Sequence, residues 1–241
     1  MYQLFKDKIA VWGETQKKYL IEQKHIDPNR IIVCGSPRHD SFFLNDMTKL
    51  QKPNKTVLLT IHSINEVSGQ ADTDLYIKFE NLLRQICIII KKFKMVNLII
   101  KLHPNQDVHN QEIKKILNEI DAKIPIYQLK SIKELLMSCD TLINISPEGF
   151  DPSTVLLEGL ILNKPTMNIV IDNQFYDFQY EKDNAVLSIS ANSDLEKYIR
   201  NIIFDDDLRQ KLIANGKNHV YNYLSNPGQA SDYLAKFLST L

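Results

Sequence analysis

The chain has 241 residues, and its 29 lysines and arginines balance 29 aspartates and glutamates, so the formal net charge is zero. With no basic stripe and no interleaving of basic and aromatic residues, the sequence argues against nucleic-acid binding. The longest apolar runs are short, which predicts no membrane span, and the charged start is unlike a signal peptide. Three cysteines without CxxC spacing fit reduced, buried thiols. We therefore expect a cytoplasmic protein, free or peripheral to the inner face of the membrane.

Apolar segments and helical segments alternate along the chain, beginning with helical spacing at 14–24. The tail, 193–241, is predicted as helices broken near Gly216 and Pro227. Between these two regions, strands are predicted at 31–34, 56–61, 97–102, 124–127, 141–145, 166–171 and 185–189, and helices at 72–93, 109–120, 131–138 and 153–164.

Apolar strands that do not alternate, separated by helices, are typical of a parallel sheet covered on both faces. The sequence thus predicts an α/β fold with a doubly wound, mostly parallel, Rossmann-like sheet and C-terminal helices. Only seven glycines are present, and no GxGxxG follows the first strand, so a dinucleotide fingerprint is absent and hydride chemistry is disfavoured.

Polar clusters follow several of the predicted strands. In doubly wound sheets, ligands bind beyond the carboxyl ends of the strands. The clusters at such ends are Gly35-Ser36, His62, His103-Pro104 and 146–154. We assign all these strands to one sheet and expect the clusters to converge on one crevice.

The stretch 139–165 contains the strongest candidate site. Pro152 fits the first turn of a helix, where Ser153 and Thr154 place hydroxyls beside free backbone N–H groups. Glu158 lies one turn further on the same side. Hydroxyls for phosphate and a carboxylate for a ribose diol suit a nucleoside diphosphate. The alternative is that the hydroxyls only cap the helix and that Glu158 is solvated.

Two histidines are candidates for the same crevice. His103 ends a strand and precedes Pro104, which restricts it to extended geometry, so its ring can donate to a phosphate or contact a base. His62 can point into the crevice, with Glu66 near enough to orient it. For both residues the alternative is a structural histidine whose hydrogen bonds are satisfied within the protein.

The segment after the first strand is a weaker candidate. Gly35 permits close approach of a ligand to the backbone, and Arg38 offers a fork for phosphate or carboxylate. The sequence Gly-Ser-Pro is also common in turns that bind nothing, so the segment can be a binding loop or a simple turn. No strong metal-ligand spacing is present at 103–109, and we predict no metal site.

Together these residues resemble the C-terminal, donor-binding half of two-domain GT-B glycosyltransferases. The related groups are capsule or surface polysaccharide transferases, CDP-glycerol glycerophosphotransferases and non-hydrolysing UDP-N-acetylglucosamine 2-epimerases. The resemblance covers most of the chain from about Val11 to Ile171, and the tail is similar to the family's closing helices. The matching segments are CGSPRHDSF at 34–42, LLTIHSINE at 58–66, IKLHPN at 100–105 and INISPEGFDPSTVLLEGLILNKPT at 143–166.

The resemblance implies roles for these residues by position. Ser153 and Thr154 match the hydroxyl pair that holds the donor phosphates, and Glu158 matches the acidic residue that binds the ribose. His103 matches a His-Pro motif at the donor phosphate of cytidine-nucleotide transferases, and His62 matches a histidine near the pyrophosphate of the epimerases. The predicted catalytic residues are His62 and His103, and the predicted nucleotide-binding residues are Gly35, Ser36, Arg38, His103, Ser153, Thr154 and Glu158.

Pro152-Ser153-Thr154 stands where the epimerases have Ser-Gly-Gly, and this departure favours a transferase. The expected function is a nucleotide-sugar-dependent glycosyltransferase in surface or capsular polysaccharide or related glycan synthesis. The alternatives are a UDP-sugar 2-epimerase-like isomerase and a non-catalytic nucleotide-binding module. No cofactor is expected. The substrates would be a CMP-, CDP- or UDP-linked sugar and a glycan or lipid-linked acceptor.

The resemblance also implies a missing half. A GT-B enzyme closes two domains around the donor, and the first usually brings the acceptor site and the catalytic base. We expect either an N-terminal domain, on the same chain or as a partner, or a loss of catalysis. The expected boundaries are 1–30 for an entry segment and helix, 31–192 for a Rossmann-like nucleotide-sugar-binding domain, and 193–241 for a helical closing segment of that domain.

Overall fold

The computed structural model describes residues 7–44, 53–61, 73–104, 107–146, 154–171 and 178–240. Contacts group the chain into two compact units, one of Met1–Met47 with Lys217–Leu241 and the other of Thr48–Gly216. The domain boundaries expected after residues 30 and 192 do not coincide with this grouping, and as boundaries of folding domains they stay a prediction. None of the described helices is long and apolar enough to cross a membrane.

The first unit contains a two-stranded parallel sheet. Strand β1 (Ile9–Val11) leads through helix α1 (Glu14–Lys24) to strand β2 (Ile31–Val33), and the two strands pair residue for residue. The sequence predicted β2 but assigned it to the large sheet, which is wrong, because its partner is β1. Strand β1 was not predicted, since three residues are too few to show a periodicity.

The turn after β2 uses its polar groups inside the first unit. Gly35 has φ of 90°, and a Cβ there would clash with the carbonyl oxygen of Ser225. The carboxylate of Asp40, the first residue of the short helix α2 (Asp40–Phe43), accepts hydrogen bonds from two backbone N–H groups. These belong to Ala230 at 3.0 Å and Ser231 at 2.7 Å. Asp40 therefore caps the start of helix α10 (Ala230–Leu238).

His39 lies at the centre of this turn and is completely buried. Its Nδ1 lies 2.8 Å from the hydroxyl oxygen of Ser36, and its ring meets Trp12 and Phe42 edge-on. Burial lowers the pKa of His39 to about 4, and the charge of Arg38 acts in the same direction. The imidazole is thus neutral at pH 7 and serves as a packing and hydrogen-bonding group.

The second unit is built on one six-stranded sheet with the spatial order β5-β4-β3-β6-β7-β8. Every neighbouring pair of strands is parallel. This is the doubly wound order, in which the winding direction reverses between β3 and β6. The predicted α/β fold is confirmed. The strands are β3 (Lys55–Ile61), β4 (Val96–Lys101), β5 (Ile126–Tyr127), β6 (Thr141–Ser146), β7 (Thr166–Val170) and β8 (Leu187–Ser190).

The two faces of this sheet differ in chemistry. On one face, aliphatic side chains from successive strands form a core with buried residues of three helices, α3 (Thr73–Lys91), α4 (Asp107–Asp121) and α8 (Leu195–Phe204). Helix α6 (Thr154–Ile161) packs on the other face, because Gly159 sits against Leu142 of β6 and Thr166 of β7. Helices therefore cover both faces, as the unalternating apolar strands predicted.

Three helices complete the chain, namely α5 (Ile132–Ser138), α7 (Gln179–Lys182) and α9 (Asp206–Tyr223). The sequence predicted a helix break near Gly216, which is wrong, because α9 runs through that residue. Gly216 lies against the side chain of Leu160 in α6, so the glycine serves close helix packing and not a break. The predicted break near Pro227 is confirmed, since α9 ends at Tyr223 and α10 begins at Ala230.

We expect Gly159→Ala to lower the free energy of unfolding by roughly 1–2 kcal/mol, even after the gain in helix propensity. A Cβ at this position would lie 2.6 Å from Leu142 Cδ2 and 3.0 Å from Thr166 Oγ1, both in the sheet. Gly216→Ala is the matched control, because the nearest atom to its Cβ would be Leu160 Cδ2 at 3.0 Å, a tight contact but not the 2.6 Å overlap at Gly159. Urea denaturation of both variants measures the difference, and equal effects would contradict the described packing of α6.

We expect the free energy of unfolding to fall as the pH is lowered from about 6.5 to 4. Unfolded His39 takes up a proton near pH 6.5, whereas the folded residue stays neutral down to about pH 4, so the unfolded state binds more protons in that window. The full effect is about 3 kcal/mol, from about 1.4 kcal/mol for each pH unit. The pKa of Asp40 is also lowered, and its contribution is lost only at more acidic pH.

The measurement is urea denaturation at several pH values between 7 and 4.5. His39→Gln should flatten the curve in this window, because glutamine does not titrate. His25→Asn, at an exposed position, should leave the curve unchanged. A wild-type curve that His39→Gln does not flatten would show that His39 is not held neutral by burial.

Candidate functional site

A row of polar side chains crosses the α6 face of the sheet near the carboxyl ends of its strands. Lys101 of β4 is aligned with Thr60 of β3, Thr60 with Asn144 of β6, Asn144 with Asn168 of β7, and Asn168 with Ser188 of β8. We call these five residues the polar row. The first four are at most 9% exposed, although they lie in strands that are otherwise mostly apolar. Folds of this kind bind ligands beyond the carboxyl ends of the strands, at the point where the winding reverses. The polar row crosses β3 and β6, the two strands that flank this point.

Hydrogen bonds join the centre of the polar row. The Thr60 hydroxyl donates to Asn144 Oδ1 at 2.8 Å, and Asn144 Nδ2 donates to Asn168 Oδ1 at 2.9 Å. Ser146, at the end of β6, accepts from Asn144 Nδ2 and donates to Asn168 Oδ1, both at 2.9 Å. The network fixes the end of β6, the strand after which the predicted phosphate loop begins.

The His103-Pro104 turn follows β4 and is held by its backbone. Asn110 of α4, which is 1% exposed, donates from Nδ2 to the His103 carbonyl oxygen at 2.8 Å. Gln128, just beyond β5, donates from Nε2 to the Pro104 carbonyl oxygen at 3.3 Å. The His103 side chain is half-buried at the carboxyl end of β4. The structure therefore bears out the predicted position at a strand end, while the role of the ring stays a prediction.

Helix α6 begins at Thr154, which is exposed, and contains Glu158 one turn later, which is only 2% exposed. A solvated helical carboxylate, one alternative for Glu158, is therefore wrong. Lys101 of the polar row is also buried. Burial lowers the pKa of Lys101, and the charge of Glu158 raises it. The ribose-binding role of Glu158 stays a prediction.

Gly35, Ser36 and Arg38 belong to the first unit, whereas His103, Thr154 and Glu158 belong to the second. The expectation that Gly35-Ser36 follows a strand of the large sheet is wrong, because β2 pairs with β1. Ser36 is buried against His39, and Arg38 is exposed. These contacts support the interpretation of this segment as a turn, and its role in nucleotide binding stays a prediction.

Two predicted site residues, His62 and Ser153, lie outside the described residues, as does Pro152. Within the described ranges, no three side chains of histidine, cysteine, aspartate or glutamate come together as a metal site. All three cysteines are buried, and burial raises the pKa of each thiol.

Sequence reasoning missed Lys101, Thr60, Asn144 and Asn168. Each is a polar residue within or at the end of an apolar run in its strand, and that interruption is the signal that was available. Only the register of parallel strands reveals that the four stand side by side. Asn110 was missed because one asparagine in an amphipathic helix carries no sequence signal.

A cavity of about 530 Å³ lies at the opposite, amino-terminal edge of the sheet. Its walls combine aliphatic side chains with polar residues, which include the ion pair between Lys91 Nζ and Asp121 Oδ2 at 3.0 Å. None of the predicted site residues lines it. The candidate site is therefore assigned to the carboxyl ends of the strands, where folds of this kind bind their ligands.

No protein-family model matches the chain, and no curated protein matches its sequence. Solved structures do match its fold. The UDP complex of S. aureus MnaA covers 98% of the chain at 14% identity with a TM-score of 0.66. The UDP-GlcNAc 2-epimerase of Methanocaldococcus jannaschii, in complex with UDP-GlcNAc and UDP, covers 98% at 18% identity and 0.60. A glycosyltransferase from Rickettsia africae ESF-5 covers 97% at 16% identity and 0.57.

The chain spans 60%, 61% and 63% of the length of these three structures, respectively. At such identities the likeness concerns the fold. The resemblance to GT-B proteins inferred from sequence motifs is confirmed at that level. The chain has the fold of one half of the GT-B structures found among UDP-GlcNAc 2-epimerases and glycosyltransferases.

Proposed function

We propose that this chain is the donor-binding half of a nucleotide-sugar-dependent glycosyltransferase. The observation that carries the proposal is the buried carboxylate of Glu158 on α6, the helix that covers the face of the sheet bearing the polar row. A buried carboxylate suits a ligand that presents hydroxyl donors, such as a ribose diol. Thr154 and Ser153 would contact the phosphates at the start of α6, and His103 would stabilise the charge of the leaving diphosphate.

The nucleotide is proposed to be a uridine or cytidine diphosphate. The His-Pro motif at 103–104 supports cytidine, whereas the fold likeness to proteins solved with UDP supports uridine. A thermal-shift panel of CMP, CDP, UDP, UDP-sugars and GDP tests this proposal, because a saturating ligand raises the apparent Tm by mass action. No shift with any pyrimidine nucleotide at millimolar concentration would overturn it.

The competing proposal is epimerisation of a UDP-sugar, which the fold likeness to the M. jannaschii epimerase favours. Pro152-Ser153-Thr154 in place of Ser-Gly-Gly favours transfer instead. Incubation with UDP-GlcNAc separates the two activities, since an epimerase alters the sugar without an acceptor. A transferase releases UDP in step with the glycosylation of an acceptor. The proposed setting in surface or capsular glycan synthesis rests on the motif resemblance alone.

The proposed enzyme needs a second domain to close its crevice. The fold corresponds to about three fifths of the matched structures. This partial coverage supports an N-terminal domain, in cis or trans, that contributes acceptor and base.

We expect Glu158→Gln to weaken binding of the best nucleotide about ten- to a hundredfold, measured by titration calorimetry. The loss of charge-assisted hydrogen bonds to the ribose diol should cost roughly 1.5–3 kcal/mol. Glu134→Gln, the same change at an exposed position of α5, is the control and should bind as wild type. The 2′,3′-dideoxy nucleotide should bind all three proteins alike. If Glu158→Gln binds the ordinary nucleotide as tightly as wild type, the role of Glu158 is structural and the prediction is wrong.

We expect the isolated chain to bind its donor but not to transfer sugar. Transfer requires an acceptor hydroxyl within attack distance, a base for its proton and exclusion of water. Of the residues considered from sequence, only His62 is a plausible base. The assay follows nucleotide release and product mass with glycan and lipid-linked acceptors. Multiple-turnover transfer by the isolated chain, abolished by His62→Ala, would show that this chain is a complete enzyme.

A further inference from the structure

Ser146 is the outermost member of the hydrogen-bonded network at the centre of the polar row. It ends β6, one of the two strands beside the point where the winding reverses. Its side chain lies on the same face as that of Asn144, two residues earlier in the strand. Asn144 and Asn168 are at most 3% exposed, whereas Ser146 is half-buried. Ser146 is therefore the member of this network nearest to the carboxyl edge, where folds of this kind bind ligands.

The Ser146 hydroxyl is already engaged on two sides. Its oxygen accepts from Asn144 Nδ2 at 2.9 Å, and it donates its proton to Asn168 Oδ1 at 2.9 Å. A serine hydroxyl has one proton and two lone pairs, so one lone pair remains. Within the described residues, the oxygen has no third partner. Ser146 can therefore accept one further hydrogen bond, but it has no proton left to donate.

This polarity does not depend on how the two asparagine amides are turned. Asn144 Nδ2 lies 2.9 Å from Asn168 Oδ1, so a donor on one amide must face an acceptor on the other. If both amides were turned over, Asn168 would donate to Ser146, and Ser146 would donate to Asn144. Turning only one amide would bring two oxygens or two N–H groups together. In both consistent arrangements the Ser146 proton points into the network.

Thr60 favours the first of these arrangements. Its hydroxyl oxygen lies 2.8 Å from Asn144 Oδ1 but 3.4 Å from its alternative acceptor, the carbonyl oxygen of Ile143. Because the Thr60 proton is better placed on Asn144 Oδ1, the Asn144 amide N–H groups face Ser146 and Asn168. Asn168 thus takes part in the network through its oxygen.

A hydroxyl of this polarity discriminates between ligand groups. Ionised phosphate oxygens only accept hydrogen bonds, so they cannot bond to Ser146 unless its bond to Asn168 is broken. A hydroxyl group of a ligand, in contrast, can donate to the remaining lone pair. A nucleotide sugar carries such hydroxyl groups on its sugar and on its ribose.

We propose that Ser146 is a specificity residue, which accepts a hydrogen bond from a hydroxyl group of the nucleotide sugar and does not bind its phosphates. Asn144 and Asn168 are positioning residues, because they hold the Ser146 proton away from the ligand. This inference rests on the proposed nucleotide-sugar-binding function and adds a contact to that site.

The first measurement is the affinity for UDP-glucose and UDP by titration calorimetry. Ser146→Ala should weaken binding about three- to tenfold, which is the usual cost of one hydrogen bond. The variant should fold, because Asn144 and Asn168 keep their direct bond. Ser190→Ala is the matched control and should bind as wild type. Ser190 ends β8 at the same level of the sheet, and its hydroxyl oxygen accepts from the Asn192 N–H at 3.2 Å.

The pattern of loss across ligands identifies the hydroxyl group. A loss with UDP-glucose but not with UDP assigns the contact to the sugar. A loss with both ligands, but not with 2′,3′-dideoxy-UDP, assigns it to the ribose, and either result supports the proposal. An equal loss with all three ligands would show that the partner is not a hydroxyl group and would overturn it. CDP-glucose and CDP replace these ligands if only cytidine nucleotides bind.

The second measurement tests the polarity with monodeoxy and monofluoro analogues of the bound ligand. Fluorine cannot donate a hydrogen bond, so at the contacted position the fluoro analogue should bind wild type no more tightly than the deoxy analogue. In Asn168→Leu the Ser146 proton is released, and the fluoro analogue should then bind more tightly than the deoxy analogue. Asn168→Asp should behave as wild type, because its carboxyl oxygen still accepts that proton.

Two results of this comparison would contradict the assigned polarity. Tighter binding of the fluoro analogue by wild type would show that Ser146 donates to the ligand. An equal loss of both analogues in Asn168→Leu would show that Asn168 contributes only to packing. If Asn168→Leu fails to fold, the comparison of the two analogues with wild type decides the polarity.

Failure of this role can be distinguished from failure of the proposed function. If wild type binds UDP-glucose or UDP and Ser146→Ala binds them equally well, the role of Ser146 is overturned while the proposed function stands. If wild type binds no nucleotide of the panel, the proposed function fails, and this role fails with it.

Discussion

The parallel register of the central strands is the constraint on which the candidate site depends. It aligns Thr60, Asn144 and Asn168 on one face of the sheet, where their side chains form hydrogen bonds with one another. A buried polar group without a partner costs a few kcal/mol, so the network penalises any slip in register. The opposite face has no such requirement, because its aliphatic side chains pack against α3, α4 and α8 and form the larger core.

One face of the sheet is aliphatic and the other bears buried polar side chains, and α6 packs its charged residue Glu158 against the polar face. The glycine at 159 brings the helix close to β6 and β7, and the adjacent Glu158 is buried on the same face of the sheet as Lys101. Burying a carboxylate is costly unless hydrogen bonds or an opposite charge compensate. Buried charged groups contribute little to stability compared with apolar replacements, so packing alone does not explain Glu158 at this position.

The turn at 35–40 is a polar segment whose hydrogen-bonding groups are used within the first unit. Like His103-Pro104, it is a short polar segment that follows an apolar strand. Its polar groups, however, are engaged in the first unit, with Ser36 against His39 and Asp40 at the start of α10. A polar segment after a strand can thus serve internal capping and packing, so this sequence pattern does not by itself identify a binding site.

The sequence by itself determined the fold class, most strand and helix positions, and a cluster of candidate residues at strand ends, because unbroken apolar strands and helix periods are local signals. It placed His103 just beyond β4 and Glu158 in α6, yet it assigned β2 to the wrong sheet and broke α9 at Gly216. Only the tertiary structure decided these points, together with the polar row and the burial of Glu158 and Lys101. Strand pairing and the approach of α6 to the sheet join residues far apart in the chain, and no local pattern encodes which distant group will satisfy a buried one.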